Sequence, residues 1–279
     1  MPSGFTQNLR SLKKRSLLGQ LVVGLLSLEL LFFASFISLS VPVPTARNME
    51  AYYRNTARSI LLQIGTLKPV IKETIEAKFP LVSETAKEVR TSTYVPLLPL
   101  AVALGYVLGS PLAVIVSSLY LILGLQGPQE GLYLFASGGG INYTKEVGFG
   151  YLVGIICGAW FSAWISPDDE RKSWRQLLAA VGGVSIVHLI GLACVFGSSI
   201  AVLLFEGEQA YLHFQPWLSE QIRNLSWYTL PYDLLFATML IALLFPLRSL
   251  FSMLTRPDIA HKGKPTVEAQ LEVLQESTV

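Results

Sequence analysis

Residues 17–40 read LLGQLVVGLLSLELLFFASFISLS, with Glu29 as the only charge. A helix rises 1.5 Å per residue, and a bilayer's hydrocarbon layer of roughly 30 Å needs about 20 apolar residues of it. This stretch therefore predicts a membrane-spanning helix. Arg10, Lys13, Lys14 and Arg15 stand just ahead of it, as expected of a flank held in the cytoplasm. A cleaved signal peptide is the rival reading. The run is long for such a segment, and VPVPTAR follows it instead of a small-x-small cleavage site.

The same composition recurs along the chain. The 279-residue chain is 52% hydrophobic and 14% charged, against roughly 25% charged residues in an average soluble domain. Its mean hydropathy is +0.50. These values exclude a disordered chain and argue against a soluble enzyme. A net charge of +2 without a basic groove pattern gives no reason to expect nucleic acid. The two cysteines, Cys157 and Cys194, lie in apolar runs and make neither a disulfide framework nor a four-ligand zinc site.

Further apolar stretches predict spans at 91–108, 111–126, 148–166, 177–205 and 230–254. The break between the second and third is Gly109-Ser110-Pro111, since proline lacks an amide donor and clashes with the preceding helical turn. The expected fold is thus all-α: a polytopic six-helix bundle over 17–254, with both ends (1–16 and 255–279) cytoplasmic in the cell membrane. Arg248, Arg256, Lys262 and Lys264 support the placing of the C-terminal end. Segments 41–90, 127–147 and 206–229 become external loops, and 167–176 a cytoplasmic one. The eight Lys/Arg of 41–90 do not oppose this, because loops of that length cross largely regardless of charge. Within it, Ile60, Ile64, Leu67, Ile71, Ile75 and Phe79 recur at helical spacing. An external amphipathic helical insertion is expected at 46–90, broken at Pro69 and Pro80. A surface helix packed on its own bundle and a docking arm for a partner are both compatible with that pattern.

No G-x-x-x-x-G-K-[ST], H-E-x-x-H or G-x-S-x-G pattern occurs, so no nucleotide phosphate cradle, metalloprotease centre or serine nucleophile is expected. No catalytic set, metal or cofactor is read from the chain. Asp168-Asp169-Glu170 lacks a second acidic cluster and reads as a solvated loop. Ionisable groups at membrane depth are costly and mark function by default: Glu29, His188 and Asp233. Glu29 has a structural alternative, a hydrogen bond to a neighbouring helix, and His188 another, a satisfied interior histidine. Asp233 opens the last span after Trp227-Tyr228-Thr229-Leu230-Pro231-Tyr232. Its carboxylate accepts hydrogen bonds only, so it suits a ligand presenting two N–H groups. A first-turn charge favoured by the helix dipole explains it equally. The other candidate region is 124–151. Gly138, Gly139 and Gly140 leave backbone open to a ligand. Tyr133, Phe135, Tyr143, Phe149 and Tyr151 offer apolar faces, Asn142 offers an amide, and Lys145 a positive charge.

Several of these stretches, taken in order, resemble the BioY family, the biotin-binding S components of energy-coupling factor transporters. Val41-Pro42-Val43-Pro44-Thr45 is similar to the family's P-V-P-x-T. Gly109-Ser110-Pro111 with Leu119-Tyr120-Leu121-Ile122-Leu123-Gly124 resembles its G-x-x-x-G…Y-L-x-x-G. Phe135-Ala136-Ser137-Gly138-Gly139 looks like its F-A-G-G loop, and Gly150-Tyr151-Leu152-Val153-Gly154 its G-Y-L-x-G. His188-Leu189-Ile190-Gly191 is similar to h-L-x-G, and Pro231-Tyr232-Asp233-Leu234-Leu235 to P-G-D-L-L-K. The resemblance covers 17–45 and 94–254. It implies an S-component bundle, not an enzyme, that binds biotin at its external side. A membrane coupling subunit and two ATP-binding subunits would energise it. It implies that Asp233, with Tyr232 beside it, takes the ureido N–H groups, and that the loop 135–151 closes over the ring. Phe236 stands where the family's lysine would pair with the ligand carboxylate, and Lys145 is the candidate to replace it. A second reading is a non-transporting membrane scaffold or assembly protein that docks a partner through helix 50–90.

Overall fold

The computed structural model describes residues 16–67, 78, 85–131, 133–135, 138–166 and 172–254. The basic N-terminal flank, Pro69, Pro80, the acidic triplet 168–170 and the tail from 255 lie outside them.

Helix α1 (Leu17–Phe36) starts where the Ser16 side chain accepts a hydrogen bond from the Gly19 amide, capping one of the first turn's orphan donors. It buries Val23, Ser27, Leu31, Ala34 and Ser35, a three-and-four spacing that forms one face. Leu18, Leu25, Leu26 and Phe33 point outward. So does Glu29; it is exposed, and neighbouring helices do not bury it.

The helix is shorter than predicted, because 39–40 belong to a strand. Strand β1 (Leu39–Pro42) pairs antiparallel with β2 (Thr91–Tyr94), with Leu39 opposite Tyr94 and Pro42 opposite Thr91. The chain is mostly helical, as expected, and this ribbon is an addition to the helices that the sequence did not predict. β-branched residues and flanking prolines favour an extended ribbon here, and 91–94 is strand instead of the start of a span. Between the strands, helix α2 (Ala46–Leu67) leaves the ribbon and is about 33 Å long. Two asparagines hold the return segment to it. The Asn48 side-chain amide donates to the carbonyls of Val43 and Arg90, and its oxygen accepts from the Arg90 amide. Asn55, two turns on, does the same with the backbone of Lys87. Tyr53, Ile60 and Ile64 remain exposed.

Helix α3 (Leu97–Leu108) begins after Pro96, and Gly109, at φ +83°, separates it from α4 (Ser110–Gln126). Only glycine takes that backbone without strain. Helix α5 (Phe149–Ile165) lies along α6 (Ser173–Glu206), and the helices approach at small residues. A Cβ on Gly158 would come within 2.7 Å of the Gly183 carbonyl, and one on Gly154 within 2.8 Å of that of Val187. Close backbone approach through small residues is the usual way membrane helices gain packing. At 34 residues, α6 exceeds what a bilayer core needs.

Residues 206–229, predicted as a loop, form helix α7 (Glu208–Ile222) and a π-helical turn at 223–227 that leads into α8 (Leu230–Leu254). Among the described residues, four segments are long and apolar enough to cross a membrane: Leu17–Phe36, Ser110–Glu130, Ser173–Glu206 and Glu208–Phe251. Leu97–Leu108 and Phe149–Ile165 are shorter apolar helices. Val102, Val184, Val187, Ala237 and Ile241 are among the fully buried core residues. Arg248, counted above with the basic C-terminal flank, is instead buried in α8. It donates to the Ser166 carbonyl and lies 4.8 Å from the centre of the Tyr106 ring.

Candidate functional site

Where α8 begins, Asp233 sits in its first turn, with its own amide bonded to the Thr229 carbonyl. A carboxylate near a helix N-terminus is favoured by the dipole. Yet Asp233 is only 2% exposed, and a buried carboxylate needs partners. It has two. The Tyr94 hydroxyl donates to Oδ1 at 2.7 Å, and His188 Nε2 lies 3.0 Å from Oδ2. His188 Nδ1 lies 3.1 Å from Ser226 Oγ, and Ser226 Oγ lies 2.5 Å from the Tyr151 hydroxyl.

With Asp233 ionised and His188 neutral, the donors order themselves in one direction: Tyr151 to Ser226, Ser226 to His188, and His188 to Asp233. Five residues from β2, α5, α6, the π-helical turn and α8 thus close one buried network. The wider turn of the π-helix presents the Ser226 hydroxyl to both partners, and such turns are frequent at functional sites. Burial, and then the Asp233 charge, push the Tyr94 phenol well above its ordinary range, so Tyr94 is a lasting donor.

The network forms part of the wall of a cavity of about 540 Å³, within the range of small-ligand sites. Tyr94, Asp233, Tyr151 and Thr229 line it on the network's side; Ser35, Tyr120, Phe135 and Tyr143 are contributed by α1, α4 and the loop beyond. The loop holds Phe135 by its glycines. Gly138, Gly139 and Gly140 have φ of +99°, +74° and +90°, and the Gly140 amide bonds to the Gly124 carbonyl. A Cβ on Gly124 would meet the Phe135 ring at 2.0 Å, so only glycine leaves room for that ring against α4. The rings of Tyr120 and Tyr143 stand 5.4 and 5.1 Å from it.

Of the residues singled out from the sequence, the structure brings Asp233, Phe135, Tyr143 and Tyr151 together on this wall; Tyr133 and Phe149 are not among those lining it. Gly138 and Gly139 shape the loop through their backbone. Tyr232 turns away, its hydroxyl donating to the Pro42 carbonyl. Asn142 and Lys145 lie exposed on a short 3-10 turn and are not among the residues lining the cavity. Tyr94, Ser226 and Tyr120 escaped the sequence reading. Nothing at those positions signals more than a strand aromatic, a loop serine and an apolar-span tyrosine. His188 carried a signal, as an ionisable group at membrane depth, but its partners come from distant segments.

The BioY family's model matches residues 91–253, more than half of the chain. The chain belongs to the BioY family. No curated protein and no solved structure matches it. BioY proteins are membrane-embedded transport components and not enzymes: S components that bind a small vitamin and work with energy-coupling subunits. The BioY match begins at the first residue of β2 and ends inside α8, so it takes in the whole Tyr94–Asp233–His188–Ser226–Tyr151 network. It leaves out α1 and the helical arm α2.

Proposed function

We propose that this BioY-family chain is the substrate-binding subunit of a biotin uptake transporter, energised by a membrane coupling subunit and two ATP-binding subunits. The observation that carries the reading is a buried carboxylate, Asp233, on the wall of a cavity of ligand size. Tyr94 and His188 occupy one position on each carboxylate oxygen. Each oxygen retains a second lone pair, so a cyclic urea could place its two N–H groups there. The apolar rings of Phe135 and Tyr151 give the bicycle surface to pack on.

In this reading six spans cross the cell membrane, at α1, α3, α4, α5, α6 and α8, with both termini in the cytoplasm. The shorter α3 and α5 are counted as spans because they pack within the core. The ribbon, the arm and the cavity then lie on the external side. The ligand is captured from outside, occluded by the 135–151 loop and released after movement driven by the ATP-binding partners. No bond in it is broken.

Isothermal titration of biotin into the full chain in nanodiscs tests the reading. Binding is expected for the native protein, and a loss of a hundredfold or more for Asp233→Asn, since an amide cannot accept from Tyr94, His188 and a ligand together. Absence of biotin binding, or indifference to Asp233→Asn, sinks it.

A further inference from the structure

Resting on the placing of the arm at the external membrane side, we propose that helix α2 lies on the lipid surface. Its Tyr53, Ile60 and Ile64 enter the interfacial layer, and its arginines meet the phosphate groups.

The helix has two unlike sides. Asn48 and Asn55 take one of them, where they hold the return segment. Met49, Tyr53, Ala57, Ile60 and Ile64 follow one another at spacings of four, four, three and four, which sets them on a single stripe. That stripe stands roughly 150° around the helix from the two asparagines. Tyr53, Ile60 and Ile64 are 63%, 51% and 42% exposed, so the side turned away from the return segment is the apolar one. Apolar area of this kind gains by leaving water.

The stripe starts on the bundle, at membrane level. The Met49 sulfur lies 3.9 Å from the Tyr232 hydroxyl, in the first turn of α8. Along α8 from Tyr232, Leu235, Met239 and Leu243 keep to the same side and are exposed, as on a helix side that meets lipid. The arm's apolar stripe therefore begins at the head of a lipid-facing one, and beyond Met49 it stays exposed. Arg47, Arg54 and Arg58 stand on one flank of it, with Glu50 the one acidic residue of α2. An amphipathic helix with basic residues bordering its apolar side is the form that rests at a headgroup boundary. Tyr53 suits that depth, with an apolar ring and a hydroxyl in contact with water. The basic border complements lipid phosphate, and continuity with the lipid-facing side of α8 favours the bilayer over a protein partner.

Photocrosslinking of the unmodified full chain in nanodiscs tests this, with a photoactivatable phosphatidylcholine as the probe and mass spectrometry to locate the adducts. Phe33 and Leu235, both exposed on apolar helix sides, report that the probe works. Adducts are expected at Tyr53, Ile60 and Ile64, and none at Ser59, which is exposed on the asparagine side. Adding phosphatidylglycerol is expected to raise the yield on Ile60, and Arg47→Gln with Arg58→Gln to abolish that rise. Adducts on Phe33 and Leu235 with none on Tyr53, Ile60 or Ile64 overturn the proposal and leave that side of the arm to a protein partner. Equal yields on Ser59 and Ile60 overturn it as well. A yield indifferent to phosphatidylglycerol overturns the part given to the arginines. The readout needs no ligand, so its failure and a failure of the biotin titration are told apart.

Discussion

Tyr94 and Asp233 are 139 residues apart in sequence, yet the phenol donates to the carboxylate at 2.7 Å in the buried interior. Tyr94 is the last residue of β2, where the chain returns from the helical arm, and Asp233 is in the first turn of α8. The bond therefore joins the base of the arm to the wall of the cavity.

Removing that donor should be felt in both stability and binding. Tyr94→Phe keeps the ring on Phe236 and Tyr232 but leaves Asp233 with His188 alone. Losing one hydrogen bond to a buried charge costs about 1.5–3 kcal/mol. A lowered unfolding free energy in detergent, together with biotin binding weakened about tenfold, is the expected result. Unchanged values for both would show the bond to be incidental.

The same phenol predicts an alkaline response. Burial, and then Asp233, hold its proton in the folded chain, whereas the unfolded chain releases it near the ordinary value of 10.0. Above that pH the folded state binds more protons than the unfolded one, so stability falls as pH rises, by at most about 1.4 kcal/mol per pH unit from this group. Denaturation curves between pH 9 and 11 should show a steeper decline for the native chain than for Tyr94→Phe. Equal slopes would mean that the folded phenol ionises as freely as the unfolded one.

Gly124→Ala tests how the loop is held. The new methyl would run into the Phe135 ring at 2.0 Å and force it off α4, into or out of the cavity. Overpacking of this kind typically costs about 1–3 kcal/mol. Ligand binding should drop with stability, and Phe135→Leu in the same chain should recover part of the stability by making room. Failure of that second change to recover anything would put the clash elsewhere.

The arm is held on its asparagines, so Asn48→Ala should free it. Three hydrogen bonds to backbone go with that side chain, and the 85–90 amides should exchange with deuterium far faster. Deleting 46–90 with a short turn joining β1 to β2 then separates two roles. Lost biotin binding marks the arm as a cover for the cavity. Retained binding with lost co-purification of a partner complex favours the scaffold reading, in which exposed Tyr53, Ile60 and Ile64 do the docking.

Much of this protein is written along the chain. The apolar runs at 17–36, 110–126 and 230–254 announce themselves, because a helix in lipid must satisfy its own backbone and present apolar side chains over a known length. Gly109 marks its turn, and Asp233 is conspicuous because a carboxylate is costly at that depth. The ribbon at 39–42 and 91–94 was not legible, since each strand is four residues long and its partner lies beyond the whole arm. Helix α7 is not legible in the sequence, because its charged and polar residues hide the period. Residues such as Lys145, chosen for their chemistry within a local stretch, ended on an exposed turn.

What the sequence by itself determined is the medium, the greasy helices and two acidic groups at membrane depth, Glu29 and Asp233, of which the fold buries only the second. Which groups partner Asp233 was decided in three dimensions. Tyr94 comes from a strand, His188 from the longest helix and Ser226 from a widened turn, and no local pattern specifies that they meet. Hydrogen bonds of this kind depend on distance and angle in the folded interior, and helix packing sets those through the glycines that let backbones close on one another.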